Sequence, residues 1–243
     1  MTVDQNQARK SWIAALAAKL AKWRQSAGLQ RLEPDPYLGA KAAGREIYMH
    51  VRGALDMGDS RLHARSLLCA LGAVAGHACQ ASVRAQSVAA GRGADTPFHV
   101  IKGADGRTYL SGDAMNGPLA EHKMSVWNLA AGAAQLHGTQ ALPNLDEIFE
   151  YNASVVGTQK FGMPRLPTDQ PVSGMPIEFA KRMWPTAQAS VIRHTANPRL
   201  WPIATALAVQ EAIAVTKEII SPEIAVRIVM ESAIPVSKIP IES

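Results

Sequence analysis

One stretch of this chain constrains its fold more than any other: Pro97-Phe98-His99-Val100-Ile101-Lys102-Gly103-Ala104-Asp105-Gly106-Arg107-Thr108-Tyr109-Leu110-Ser111-Gly112-Asp113. Two short runs rich in β-branched and aromatic residues flank Asp105-Gly106. That dipeptide is the strongest two-residue hairpin signal, because a type I′ turn needs positive φ at both central positions. Such a turn predicts Ile101 opposite Leu110 and Lys102 opposite Tyr109. A lone hairpin is marginal in water, so it must dock on helices or pair with a hairpin from a second copy. The remainder of the chain carries helical periodicity. The expected fold class is mainly α, a single helix-rich domain over residues 1–243 with about seven or eight helices and one embedded β-hairpin at 98–112.

Trp12, Ile13, Leu16, Leu20 and Trp23 recur at helical spacing, so residues 8–25 read as an amphipathic helix. Lys10, Lys19 and Lys22 lie off its apolar stripe. Glu33-Pro34-Asp35-Pro36 follows as a linker, since each proline disfavours helix at the residue before it. Residues 38–55 read as a second helix with Ile47, Tyr48, Val51 and Leu55 on one side. Residues 61–88 read as a long third helix, capped by Asp59 or Ser60. Its surface of Ala70, Gly72, Ala73, Ala75, Gly76 and Ala78 is smooth. Glycine inside a helix costs about 1 kcal/mol against alanine. Two of them four apart therefore predict another backbone packed very close, and a central position for this helix.

Further along, residues 118–137 read as helix with Val126, Leu129, Ala133 and Leu136 facing inward. Asn144 and Glu147 form a capping box for a helix reaching about Val156. Residues 157–176 read as a Pro/Gly-rich arm. A helix near 177–194 is expected to be interrupted at Trp184-Pro185, and another covers 199–219. Ser221-Pro222-Glu223 starts a last helix, with serine at the cap and proline in the first turn. It should end near Ser232 and leave 233–243 as an extended C-terminal tail.

Of the 243 residues, 47% are apolar and 19% charged, which supports a sizeable core and argues against disorder. Aromatics, at 5%, are too few for a surface built to stack bases. The net charge is +5, but residues Gln5 to Leu32 hold six basic residues and no acid, leaving 19 basic against 20 acidic elsewhere. The excess belongs to the N-terminal segment, and no nucleic-acid partner is expected. Docking on the core or on a second subunit is the usual fate of an apolar face carrying two tryptophans. Contact of 8–25 with an anionic membrane surface is the less favoured reading. Cys69 and Cys79 are about 15 Å apart along one helix and cannot bond to each other. The polar N-terminus has no apolar h-region, so no leader is expected, and the weakly polar run Leu67–Ala78 is too short to span a bilayer. The expected location is cytoplasmic.

Several phrases resemble a family of bacterial proteins of uncharacterised function: Ala70-Leu71-Gly72-Ala73-Val74-Ala75-Gly76, Ser125-Val126-Trp127, Val156-Gly157-Thr158 with Phe161-Gly162, and Met230-Glu231-Ser232-Ala233-Ile234-Pro235. The resemblance implies no activity, no cofactor and no site residue.

Two places carry groups with chemistry. Glu46 and His50 stand four apart on the second helix, a spacing that puts both on one face as metal ligands or acid–base partners require. Two ligands fall short of a metal site, so no metal is expected. After the hairpin, Asp113 and Asn116 precede Glu121-His122 at a helix start, where a rigid hairpin and a helix N-terminus hold a loop. The same residues also serve as turn formers and helix caps. Asp113, Asn116, Glu121, His122, Glu46 and His50 are therefore the ligand-binding candidates. No nucleophile elbow, phosphate loop or dinucleotide fingerprint is present, and the sequence leaves any cofactor unknown. The expected function is a soluble homodimeric module that binds a small molecule or a protein. The alternative is an enzyme of hydrolase or lyase type, its site assembled from those dispersed Asp, Glu, His and Asn side chains.

Overall fold

Every residue from Ser66 to Gln80 is buried, and the fold is built outward from that segment. The structure, a computed structural model, describes residues 35–55, 64–165 and 174–241, with Ala14, Ala15, Ala18, Lys19 and Lys22 as isolated helical positions. The apolar stripe of the helix expected at 8–25 and the caps expected at Asp59 or Ser60 lie outside the described residues. The described α-helices are α1 (Leu38–Leu55), α2 (Ala64–Ala89), the single turn α3 (Asp113–Asn116), α4 (Val126–Leu136), α5 (Leu145–Ser154), α6 (Pro176–His194), α7 (Trp201–Thr216) and α8 (Pro222–Lys238). Strands β1 (His99–Lys102) and β2 (Thr108–Ser111) form one antiparallel hairpin between α2 and α3. A π turn (Gly117–Glu121) follows α3, and a 3-10 turn (Pro198–Leu200) precedes α7. The fold is mainly α with one β-hairpin, as expected.

Helix α2 packs most extensively on α8, then on α7 and α6. The glycines explain how. A Cβ on Gly76 would collide with the carbonyl of Ala233 and stand 2.8 Å from its Cα; one on Gly72 would stand 2.6 Å from the carbonyl oxygen of Val229. The two backbones touch at a crossing that only residues without side chains permit. A similar approach joins α1 to α7, where Gly44 meets the carbonyl oxygen of Ala204. By length and composition α2 could cross a membrane, but 94% of its most apolar window is buried in protein. Cys69 and Cys79 are buried on it without a disulfide. Burial pushes the Cys69 thiol up to about 12 and the Cys79 thiol higher still.

Four expectations need correction. The hairpin closes through a three-residue loop, not a two-residue type I′ turn. Gly103 N–H donates to the Arg107 carbonyl, and among residues 104–106 only Gly106 has positive φ, at 77°. Asp105 instead accepts from Arg107 N and from the Tyr109 hydroxyl (2.7 Å), which holds it on the negative-φ side. The register therefore slips by one, with Val100 opposite Leu110 and Ile101 opposite Tyr109. Strand β2 is buried against α8, and Tyr109 meets the ring of Phe161, from the segment after α5, edge-on at 5.0 Å. β1 stays exposed.

The helix expected over 118–137 is replaced by the π turn, a break at residues 122–125, and α4, whose Leu136, expected to face inward, is exposed. Ser125 causes the restart. Its hydroxyl accepts from Asn128 N and donates to the Ala120 carbonyl, so local capping overrides the longer periodicity. α6 is unbroken at Trp184-Pro185. Trp184 is buried while Pro185 and Lys181 are exposed, so the carbonyl that Pro185 leaves unpaired faces water. Helix α8 does not end near Ser232, and the tail expected at 233–243 is helical to Lys238. Pro235 lies inside it. Burial of every residue from Ile228 to Ser237 outweighs a penalty of about 3 kcal/mol for an interior proline. Gln80 on α2 closes the helix end by donating to the carbonyls of Ser237 and Ile239.

Two titratable groups tie the helices together. His77 is buried on α2 with its ring edge-on to Trp184 at 4.7 Å and its Nδ1 unpartnered. Burial, with the charge of Arg84 adding, pulls it down to about 4. Glu46 on α1 is gripped by α6. Its carboxylate lies 2.7 Å from His194 Nε2, accepts from Ser190 Oγ (2.8 Å) and pairs with Arg193 (2.6 Å). The bond with His194, then that with Ser190, holds Glu46 down at about 2.

Four variants test this packing. Gly76→Leu should destabilise by about 1–3 kcal/mol or more in urea unfolding. Gly53→Ala, at a helical position with open space around it, should be neutral or stabilise by up to about 1 kcal/mol. In acid, a depressed histidine pKa makes the unfolded chain take up the proton first. Stability should therefore fall as pH drops from about 6.5 to about 4, and His77→Phe should remove that slope. A depressed carboxylate works over a lower window, with stability lost from about 4.5 down to about 2. Glu46→Gln should flatten that window and weaken the fold at pH 7.

Candidate functional site

The charged side chains divide into networks that are already satisfied and clefts that are not. Glu231 on α8 is 2% exposed. It accepts from the backbone N and the Nε of Arg165, and Arg227 stands 3.2 Å away. Arg165 also pairs with Glu147 on α5 and lies over the Tyr151 ring at 3.9 Å. These groups compensate one another and pin the segment after α5 to α8. A buried carboxylate in such a set is structural, because removing its partner would strand a charge. The Glu46 seam between α1 and α6 is of the same kind.

A cleft of about 660 Å³ has the opposite character. Its walls are the C-terminal half of α2, the turn after it, the π turn with residues 122–124, and the start of α7. Arg92, His122, Lys123 and Arg199 line it, and no carboxylate stands among the described lining residues. Polar groups on α2 make its floor. Ser82 and Ser87 are buried, and Gln86 donates to Ser82 Oγ at 3.0 Å. Gln86 Oε1 in turn accepts from Arg199 Nε at 3.0 Å, which orients that guanidinium. Ser87 Oγ donates to the Gly93 carbonyl at 2.7 Å and Arg92 N to the Ser87 carbonyl at 3.0 Å, so the turn carrying Arg92 is anchored to the helix. Val83, Ile203, Met124 and Pro97 add apolar surface.

The π turn places His122. Its backbone N–H donates to the Gly117 carbonyl, and its own carbonyl accepts from Ser125 N and Asn128 Nδ2. The imidazole folds back over Gly117, where a Cβ would stand 2.5 Å from Nε2. Gly117 is thus the space the ring occupies. π turns of this sort recur at functional sites.

The six residues singled out in the sequence do not converge. His122 lines the basic cleft. Asp113 and Asn116 line a separate cavity of about 420 Å³ with His99, Glu150 and Lys238. Glu121 is exposed and lines neither. Glu46 is committed to the α1–α6 seam. His50 stands 3.6 Å from Glu46 and borders a small cavity of about 210 Å³ between the same helices. Among the described residues, no group of three or more His, Cys, Asp or Glu could hold a metal ion. Arg92, Lys123 and Arg199, with Ser82, Gln86 and Ser87 beneath them, were not legible as a site. They come from three segments spread between positions 82 and 199, and each alone reads as surface charge or helix. The nearest signal in the sequence is Gly91-Arg92-Gly93, a pair of glycines that marks a turn and no chemistry.

Comparison of the chain with protein-family models, with curated proteins and with solved structures finds no match.

Proposed function

We propose that this protein binds a small organic anion, one carrying a carboxylate or phosphate beside an apolar portion, in the cleft between α2, the π turn and α7. The observation that carries this reading is the convergence of Arg92, His122, Lys123 and Arg199 on one concavity without a carboxylate among its described lining. The three cations among them, Arg92, Lys123 and Arg199, stand around a partly apolar pocket, which favours an anion. A guanidinium can grip a carboxylate or phosphate through two parallel bonds, and Gln86 already sets the plane of Arg199. Val83 and Ile203 supply the surface for the ligand's carbon skeleton. This is a binding role for a ligand, and it extends the small-molecule reading more than the enzyme one.

A homodimer is the assembly we favour. Its support is the outer strand β1, which leaves Val100 and Ile101 exposed at 59% and 45%.

A calorimetric screen of small carboxylates and phosphates at low and high salt tests the binding role. Arg199→Ala should weaken the best ligand at least about tenfold, the scale of one charge-assisted hydrogen bond. Arg92→Ala should weaken it too, and added salt should reduce affinity in the parent protein. Neutral ligands binding as well as anions, or an Arg92→Ala/Arg199→Ala double variant binding like the parent, would sink the proposal.

A further inference from the structure

A second cavity, which shares no lining residue with the basic cleft, holds a lysine in an unusual setting. Lys238 is the last residue of α8 and reaches into the cavity of about 420 Å³ beside β1, α3 and α5. Its backbone is held in place, because Gln80 Nε2 donates to the carbonyls on either side of it, those of Ser237 and Ile239. Its side chain is half-buried, and no ion pair to it occurs among the described residues. Desolvation without a counter-charge disfavours the ammonium form and pushes the group below the ordinary lysine range. Among the described residues, the other titratable groups lining the cavity are His99 from β1, Asp113 from α3 and Glu150 from α5. All three are exposed at its rim, and neither carboxylate comes within 4 Å of the amine. Asn116 offers an amide, and Phe149 an apolar wall.

We propose that Lys238 is a nucleophilic amine that captures a small polar aldehyde or ketone in this cavity as an imine. The Nζ lone pair adds to the carbonyl carbon to form a carbinolamine. The carbonyl oxygen then leaves as water, taking with it the two protons that Nζ loses, and the C=N bond forms. The balance needs no oxidant or reductant. Asp113 and Glu150 stand at the rim, where a carboxyl group can carry those protons between nitrogen and oxygen. Asn116 can hold a hydroxyl on the ligand. The site uses a different cavity from the basic cleft, so either proposal can fail while the other stands.

Reductive trapping tests it. The full chain is incubated with glycolaldehyde and cyanoborohydride, and the modified lysines are mapped by mass spectrometry. Lys160 and Lys217, both exposed, serve as internal references. Lys238 should be labelled several-fold faster than either at pH 7, and its rate should level off at a lower pH than theirs. Asp113→Asn combined with Glu150→Gln should slow labelling of Lys238 and leave the two references unchanged. Lys238→Arg keeps a cation at the position and should abolish the fast phase with an unchanged melting temperature. Labelling of Lys238 no faster than the references, or the same pH midpoint for all three, would overturn the assignment.

Discussion

Everything else in this fold depends on the crossing of α2 and α8, where Gly72 and Gly76 lie against the backbone of Val229 and Ala233. An alanine-rich core offers little apolar area per residue, so cohesion must come from many close contacts. Small residues on both helices shorten the distance between the backbones, and that shortening multiplies the contacts. The glycines weaken α2 as an isolated helix and strengthen it as a partner. The crossing also sets Gln80 beneath the end of α8, which positions Lys238. It presents α8 as the surface on which β2 docks.

Around that crossing the charged groups are used in two ways. Glu231 with Arg165, and Glu46 with Ser190, Arg193 and His194, join elements far apart in sequence and are consumed by doing so. Their carboxylates are surrounded by donors and have no capacity left for a ligand. The basic cleft and the Lys238 cavity differ because, among the described residues, their cations lack such compensation. The distinction between structural and available charge is one of stoichiometry within each cluster, and a single side chain considered alone does not reveal it.

The candidate residues illustrate this. His122 was legible because a helix start after a hairpin is a rigid place for a polar group, and it lines the cleft. Glu46 and His50 had the spacing of a chemical pair and serve a seam, since α6 brings Ser190, Arg193 and His194 to Glu46 from more than 140 positions away. Asp113 and Asn116 do border a cavity, but their chemically distinctive neighbour, Lys238, is carried there by a helix that the sequence pattern ended six residues early. Arg92 and Arg199 meet only through Gln86 and the anchored turn, and no local pattern records such a meeting.

The sequence by itself determined the helical class, the presence of one hairpin, the central place of the glycine-bearing helix and the caps at Asn144 and Ser221. These are short-range matters: periodicity, turn chemistry and the steric demands of glycine act within a few residues. Only the tertiary structure decided the hairpin register, the continuity of α6 through Pro185, the extension of α8 through Pro235 and the break before Ser125. It also decided which charges were neutralised. In the two proline helices, burial of neighbouring side chains outweighs the local preference of the backbone. At Ser125 a single hydroxyl bonding to two segments outweighs a longer apolar pattern. A site made of charges left over after the core has packed can be read only once the packing is known.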